Sequence, residues 1–128
     1  YTVFLHGTND PDRDKDKRKG RGKGGVAIFL SPTARKAWER AGSKKPITSG
    51  IVCESARWMG IEMKTDEKKP RTLFVVSSYH PHSGTKDDAV EQFYEAFDDF
   101  ISKHNKPHTT AIIGCDANCP LGTTSDDE

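Results

Sequence analysis

Arg71-Thr-Leu-Phe-Val-Val-Ser-Ser-Tyr79, Val90-x-x-Phe93-Tyr94-x-x-Phe97-x-x-Phe100-Ile101 and Ala111-Ile-Ile-Gly-Cys-Asp116-Ala-Asn118 are the three stretches that decide how this chain folds. The first is β-branched and aromatic in its middle and runs into the polar cluster Tyr79-His80-Pro81-His82-Ser83-Gly84, as a strand entering a loop does. The second places apolar residues with the spacing of an amphipathic helix. Thr85 followed by Asp88 fits a capping box, and Asp87 and Asp88 suit a positive helix start, so a helix is predicted from about Thr85 to His104. The third is a short apolar run between Pro107 and Cys119-Pro120, and it reads as a buried central strand. Strand, helix and strand make a βαβ unit. Its crossover predicts that 71–79 and 109–115 are parallel, in a right-handed connection, with Tyr79, His82, Asp116 and Asn118 at one sheet edge. Ligand sites of α/β sheets gather beyond such carboxyl ends.

The residue types at that edge suit acid–base work on an oxyanion. Side chains two apart on extended backbone share a side, so Asp116 can take a proton while Asn118, which does not ionise, holds a water or an oxyanion. Tyr79 offers a phenolic donor, and His82 a titratable one. His80 and Ser83 read as loop residues. Two plainer readings stay open: Gly-Cys-Asp-Ala-Asn also spells an Asx turn, and Tyr79 also fits a strand-end aromatic.

Elsewhere the sequence predicts strands at Tyr1–His6, Gly25–Leu30, Ile47–Glu54 and Arg57–Thr65. A short helix at Thr33–Ala41, led by Ser31-Pro32 and stopped by Gly42, completes this part. Asp66-Glu-Lys-Lys-Pro70 is the hairpin turn into 71–79. Trp38 and Trp58 read as packing aromatics rather than base-stacking platforms. With 128 residues the chain is one domain at most, and 33% hydrophobic content is lean for a core. No apolar run reaches membrane length. Three cysteines, Cys53, Cys115 and Cys119, have no metal-site spacing, and they read as buried thiols in a reducing compartment. The net charge of +1 hides a charged low-complexity segment at about 8–23, acidic at first and basic at its end. It reads as a solvated insertion, or as a basic flap that contacts nucleic-acid phosphates without reading sequence.

Four blocks carry a family resemblance: Gly22-Lys-Gly-Gly-Val-Ala-Ile-Phe-Leu-Ser-Pro32, Arg57-Trp-Met-Gly-Ile-Glu-Met-Lys64, Val76-Ser-Ser-Tyr79-His-Pro and Ile113-Gly-Cys-Asp116-Ala-Asn118-x-x-Leu-Gly122. In order and spacing they resemble the endonuclease/exonuclease/phosphatase superfamily, and within it the AP-endonuclease-like domain of non-LTR retrotransposons and their craniofacial-development-protein-like relatives. The resemblance implies an α/β fold, the central part of a four-layer α/β sandwich, with residues 1–128 as a partial domain incomplete at both ends. The family's metal-binding Glu and its closing Asp-His pair have no counterpart here.

It implies a Mg²⁺- or Mn²⁺-dependent phosphodiester hydrolase acting on DNA, with Tyr79, Asp116 and Asn118 catalytic and His82 and Arg57 binding substrate. Arg57 also reads simply as an exposed strand charge. Asp116 would be a weak metal ligand, the main one lying outside the chain, so the chain alone is expected to be inactive. A monomer with no membrane partner, in an intracellular and nuclear setting, is the matching expectation. A lipid or inositol-phosphate phosphatase of the same superfamily, or a non-catalytic domesticated remnant, are the alternatives.

Overall fold

The computed structural model describes residues 1–7, 25–50 and 56–118. The chain runs β1 (Thr2–His6), β2 (Val26–Leu30), α1 (Pro32–Arg40), β3 (Ile47–Thr48), β4 (Arg57–Lys64), β5 (Thr72–Tyr79), α2 (Asp87–His104) and β6 (Thr109–Asp116). β1 and β2 form an antiparallel pair, and the other strands form a mixed sheet in the order β3-β4-β5-β6. β4 pairs antiparallel with β5, while β5 and β6 are parallel neighbours bridged by α2, as the βαβ reading requires. The class is α/β.

Local chemistry explains the boundaries. Ser31 caps α1 by accepting the Ala34 N–H at 3.2 Å, Pro32 supplies a first helical residue that needs no donor, and Gly42 ends it at φ +101°. The β4–β5 turn closes with Thr65 N–H donating to Arg71 O at 3.0 Å and Arg71 N–H to Thr65 Oγ1 at 2.9 Å. The predicted capping box at α2 does not form. The helix is capped at Lys86, one residue later than the box requires, with no side-chain cap, and Asp88 accepts the N–H of Ala89 at 2.9 Å. Asp87 and Asp88 at its start and Lys103 and His104 at its end still match the helix dipole.

Strand alternation sorts the four-stranded sheet into two faces. Met59, Ile61 and Met63 of β4 pack with Val26, Ile28 and Leu30 of β2 and Ala37 of α1. On the opposite face Trp58, Phe74 and Val76 pack under Phe93 and Phe100 of α2. Both tryptophans pack internally: Trp58 meets the rings of Phe93, Phe97 and Phe100, and Trp38 stands edge-on to Phe4 at 5.2 Å.

Three expectations change. The Ala111–Ile113 run, read as buried and central, lies in the outer strand of the sheet formed by the described residues, with Ile112 51% and Ile113 42% exposed. An apolar run reports strand propensity, but a strand's place in the sheet depends on which segments pair with it. Cys115, expected as a buried thiol, is exposed on that same strand. The strand predicted over Ile47–Glu54 is confined, among the described residues, to Ile47–Thr48. Cys53, Cys119 and the charged segment at 8–23 lie outside the described residues. No helix among the described residues is long and apolar enough to cross a membrane.

Candidate functional site

The register across the sheet puts three of the predicted residues in one row. Arg57 at the start of β4 is opposite Tyr79 at the end of β5, and Tyr79 is opposite Asp116 at the end of β6. Residues opposite one another in a ladder share a face, so all three lie on the side of the sheet covered by β1 and β2, with Tyr79 packed against that core. Arg57, which also read as an exposed strand charge, is only 5% exposed. A guanidinium that far out of water is uncommon, because charged groups are costly to bury.

Asn118 follows the row at the start of the loop after β6. Its backbone is left-handed, φ +49°, and its N–H donates to Asp116 Oδ1 at 3.1 Å. That is an Asx turn. The Asn118 amide also reaches across to the neighbouring strand and donates to His80 O at 2.7 Å. The turn and the site are therefore the same object: the bond that shapes the turn also fixes one carboxylate oxygen of the exposed Asp116. His82 lies two residues beyond His80 in the exposed loop before α2, where its Nδ1 accepts the N–H of Gly84 at 3.0 Å. The ring is occupied locally.

His80 reads from the sequence as a loop residue, and the structure makes it the tie between the two parallel strand ends. Its N–H donates to Asp116 O at 2.9 Å while its carbonyl accepts the Asn118 amide. The ring, 8% exposed, sits 3.0 Å from Ser78 Oγ and 3.3 Å from Tyr94 OH, beside Phe93 and Phe97. Burial holds its pKa below the usual histidine value, and the Asp116 carboxylate opposes that shift. The spacing Ser78-x-His80 on a strand is the one sequence signal for this contact; Tyr94, on a helix, carries none.

His6 carries no signal in the strand pattern either. At the end of β1 its Nε2 lies 3.2 Å from Ser49 Oγ, and Ser49 is bonded to Trp58, the neighbour of Arg57. Partial burial, and then the Arg57 charge, lower its pKa.

Among the described residues no three His, Cys, Asp or Glu side chains gather around one point. Asp116 alone does not make a cage for a divalent cation, and the roles of these residues stand on their own hydrogen-bonding chemistry. In comparisons with protein-family models, curated proteins and solved structures, nothing matches this chain.

Proposed function

We propose that this chain is part of a phosphodiester hydrolase, a DNA endonuclease of the retrotransposon-encoded type, built on the four-layer sandwich of the superfamily its sequence blocks resemble. The observation that carries the reading is the row Arg57, Tyr79, Asp116, with Asn118 turned onto its acidic end, at the carboxyl ends of two parallel strands. Hydrolysis of a phosphodiester needs a base for water, neutral donors that hold it, and positive charge for the oxyanion. In this proposal Asp116 takes the proton, with one oxygen oriented by Asn118 and the other directed at water. Tyr79 donates to a phosphate oxygen, and Arg57 supplies positive charge from the neighbouring strand. His82, bonded to its own turn, is left at the rim of the substrate path.

The reaction class calls for Mg²⁺ or Mn²⁺, which would screen the phosphate charge, and Asp116 is the described carboxylate that would contribute an oxygen to it. DNA as substrate fits a nuclear setting and a protein acting as a monomer. In the parent polypeptide, Asp116→Asn is expected to slow single-turnover plasmid cleavage by about 10²-fold or more, the contribution of a positioned base, and to leave DNA binding measured without metal unchanged. Near-parental cleavage by that variant would make Asp116 a turn residue only and end this reading.

A further inference from the structure

The sheet end opposite the Asp116 row carries a cleft that the proposed hydrolase chemistry leaves unused. Its volume is about 250 Å³, and its wall includes Lys44, Lys64 and Lys106 with, among the described residues, one carboxylate, Glu62. Strand register assembles it. Lys64 at the end of β4 is opposite Thr72 of β5, Thr72 is opposite Thr109 of β6, and one row inward Glu62 is opposite Phe74. Lys64 follows Arg57 by seven positions, an odd number, so this row is on the other face of the sheet, the one that α2 covers. Measured along β6, it is about 23 Å from Asp116.

Hydrogen bonds fix the wall and decide which charges are left over. Lys44 donates to Glu62 Oε2 at 2.8 Å, so the carboxylate of the cleft is already neutralised. Arg40 donates to the Lys64 carbonyl at 3.1 Å, which pins the strand end that carries this lysine. Lys106 opens a tight turn. Its carbonyl accepts the Thr109 N–H at 3.1 Å, and His108 inside the turn takes a left-handed φ of +62°. At the inner end His104 stacks on the buried Phe74 at 4.2 Å and gives its Nδ1 hydrogen to Phe100 O at 2.8 Å. A carbonyl only accepts, so that hydrogen is committed and the neutral ring is a wall, not a donor. Lys64 and Lys106 remain. Neither has an ion pair among the described residues.

We propose that this cleft binds a phosphate monoester as its dianion, with Lys64 and Lys106 as the two countercharges and the hydroxyls of Thr72 and Thr109 as further donors in the same wall. Charge matching carries the choice of ligand. At pH 8 a monoester carries about two negative charges, equal to the two unpaired ammonium groups, whereas a phosphodiester carries one and leaves a lysine unmatched. An open-sided pocket floored by aromatic rings strengthens such an attraction over that at a flat surface. Free nucleotides and the phosphorylated ends of nucleic-acid strands both present this group. The site stands apart from the Asp116 row and does not rest on the hydrolase reading.

The test is a titration of the ¹⁵N-labelled full chain at pH 8, without divalent metal and at constant ionic strength, with AMP and with a 5′-phosphorylated hexathymidylate. The same oligomer ending in a 5′-hydroxyl, and dimethyl phosphate, are the controls. Saturable shifts at the Lys106 and Thr109 amides and at the His104 ring are expected with both monoesters and with neither control. A tighter Kd for the oligomer assigns a strand end, a tighter one for AMP a free nucleotide, and equal values a site for the phosphate group alone. Lys64→Met and Lys106→Met, both at exposed positions, should each weaken the Kd by about fivefold, the upper size of one solvent-screened ion pair. Glu62→Gln should tighten it by about the same factor, because it removes the negative charge of the wall and frees Lys44. A purely structural role for these residues would give no such gain. Equal shifts with the controls, an unchanged Kd in both lysine variants, or a weaker Kd in Glu62→Gln would overturn the proposal.

Discussion

β4 and β6 are both eight-residue strands rich in apolar residues, and they meet opposite fates. β4 lies between β3 and β5, covered by β2 and α1 on one face and by the aromatic rings of α2 on the other. Among the described residues β6 has β5 on one side only, and every residue from Thr110 to Asp116 is exposed. The difference teaches that composition sets which segments become strands, whereas burial is conferred by the neighbours that arrive from elsewhere in the chain.

Identical substitutions in the two strands test that contrast. The largest effect is expected for Ile61→Ala in β4, at 1% exposure, which should cost about 2–5 kcal/mol in denaturant unfolding, whereas Ile112→Ala in β6 should stay within about 0.5 kcal/mol. A loss of the β4 size at Ile112 would mean that β6 is covered in solution, and the contrast would break.

Glycine gives the next pair. A Cβ on Gly60 would meet Phe74 Cζ at 2.6 Å and Phe100 Cζ at 3.0 Å, and both rings are locked in the core under α2. Gly60→Ala should therefore cost about 1–3 kcal/mol, the usual size of overpacking. On Gly114 the nearest heavy atom is Val76 O at 3.9 Å, so Gly114→Ala should be neutral or stabilising by about 0.4–1 kcal/mol through the unfolded chain. Equal costs at the two sites would show that the β4 position is not tightly packed.

The smallest effect is one of pH. His6 and His80 both have folded pKa values below the ordinary 6.5, chiefly because burial penalises the charged ring. Between the folded and unfolded values the unfolded chain binds more protons, so stability is fully present above 6.5 and falls as the pH drops through that window. Glu62, held low by its bond to Lys44, adds to the loss below the ordinary carboxylate value of 4.5. Melting temperature recorded from pH 7.5 to 5 should decline on acidification, and His80→Gln should shallow the decline. A Tm that rises on acidification would contradict the burial of both rings.

Much of the fold is legible in the sequence. The helix stripe of Phe93, Phe97 and Phe100 fixed α2, and two apolar runs on either side of it fixed β5 and β6 as a parallel pair. Ser31-Pro32 and Gly42 bounded α1. The cap of α2 lies one residue beyond Thr85, because Thr85 and Asp88 have the right spacing for a capping box while the chain turns into the helix only at Lys86. Of the site, the placement of Tyr79 and Asp116 at one sheet edge follows from the βαβ unit, since its two strands run parallel, whereas the register that sets them opposite one another comes from the sheet. That His80 joins their ends, with its ring on Ser78 and Tyr94, was not legible, because Tyr94 is fourteen positions away and on a different element.

The sequence by itself determined which segments become the main strands and helices and that β5 and β6 run parallel, because hydrophobic period and turn chemistry act over a few residues. Only the tertiary structure decided that Arg57 is buried, that β6 is an edge, and that His6 reaches Ser49 across 43 positions. Those outcomes rest on contacts between distant segments. Their strength depends on the burial and charge each segment meets when the two sheets close on one another, and no local pattern encodes that.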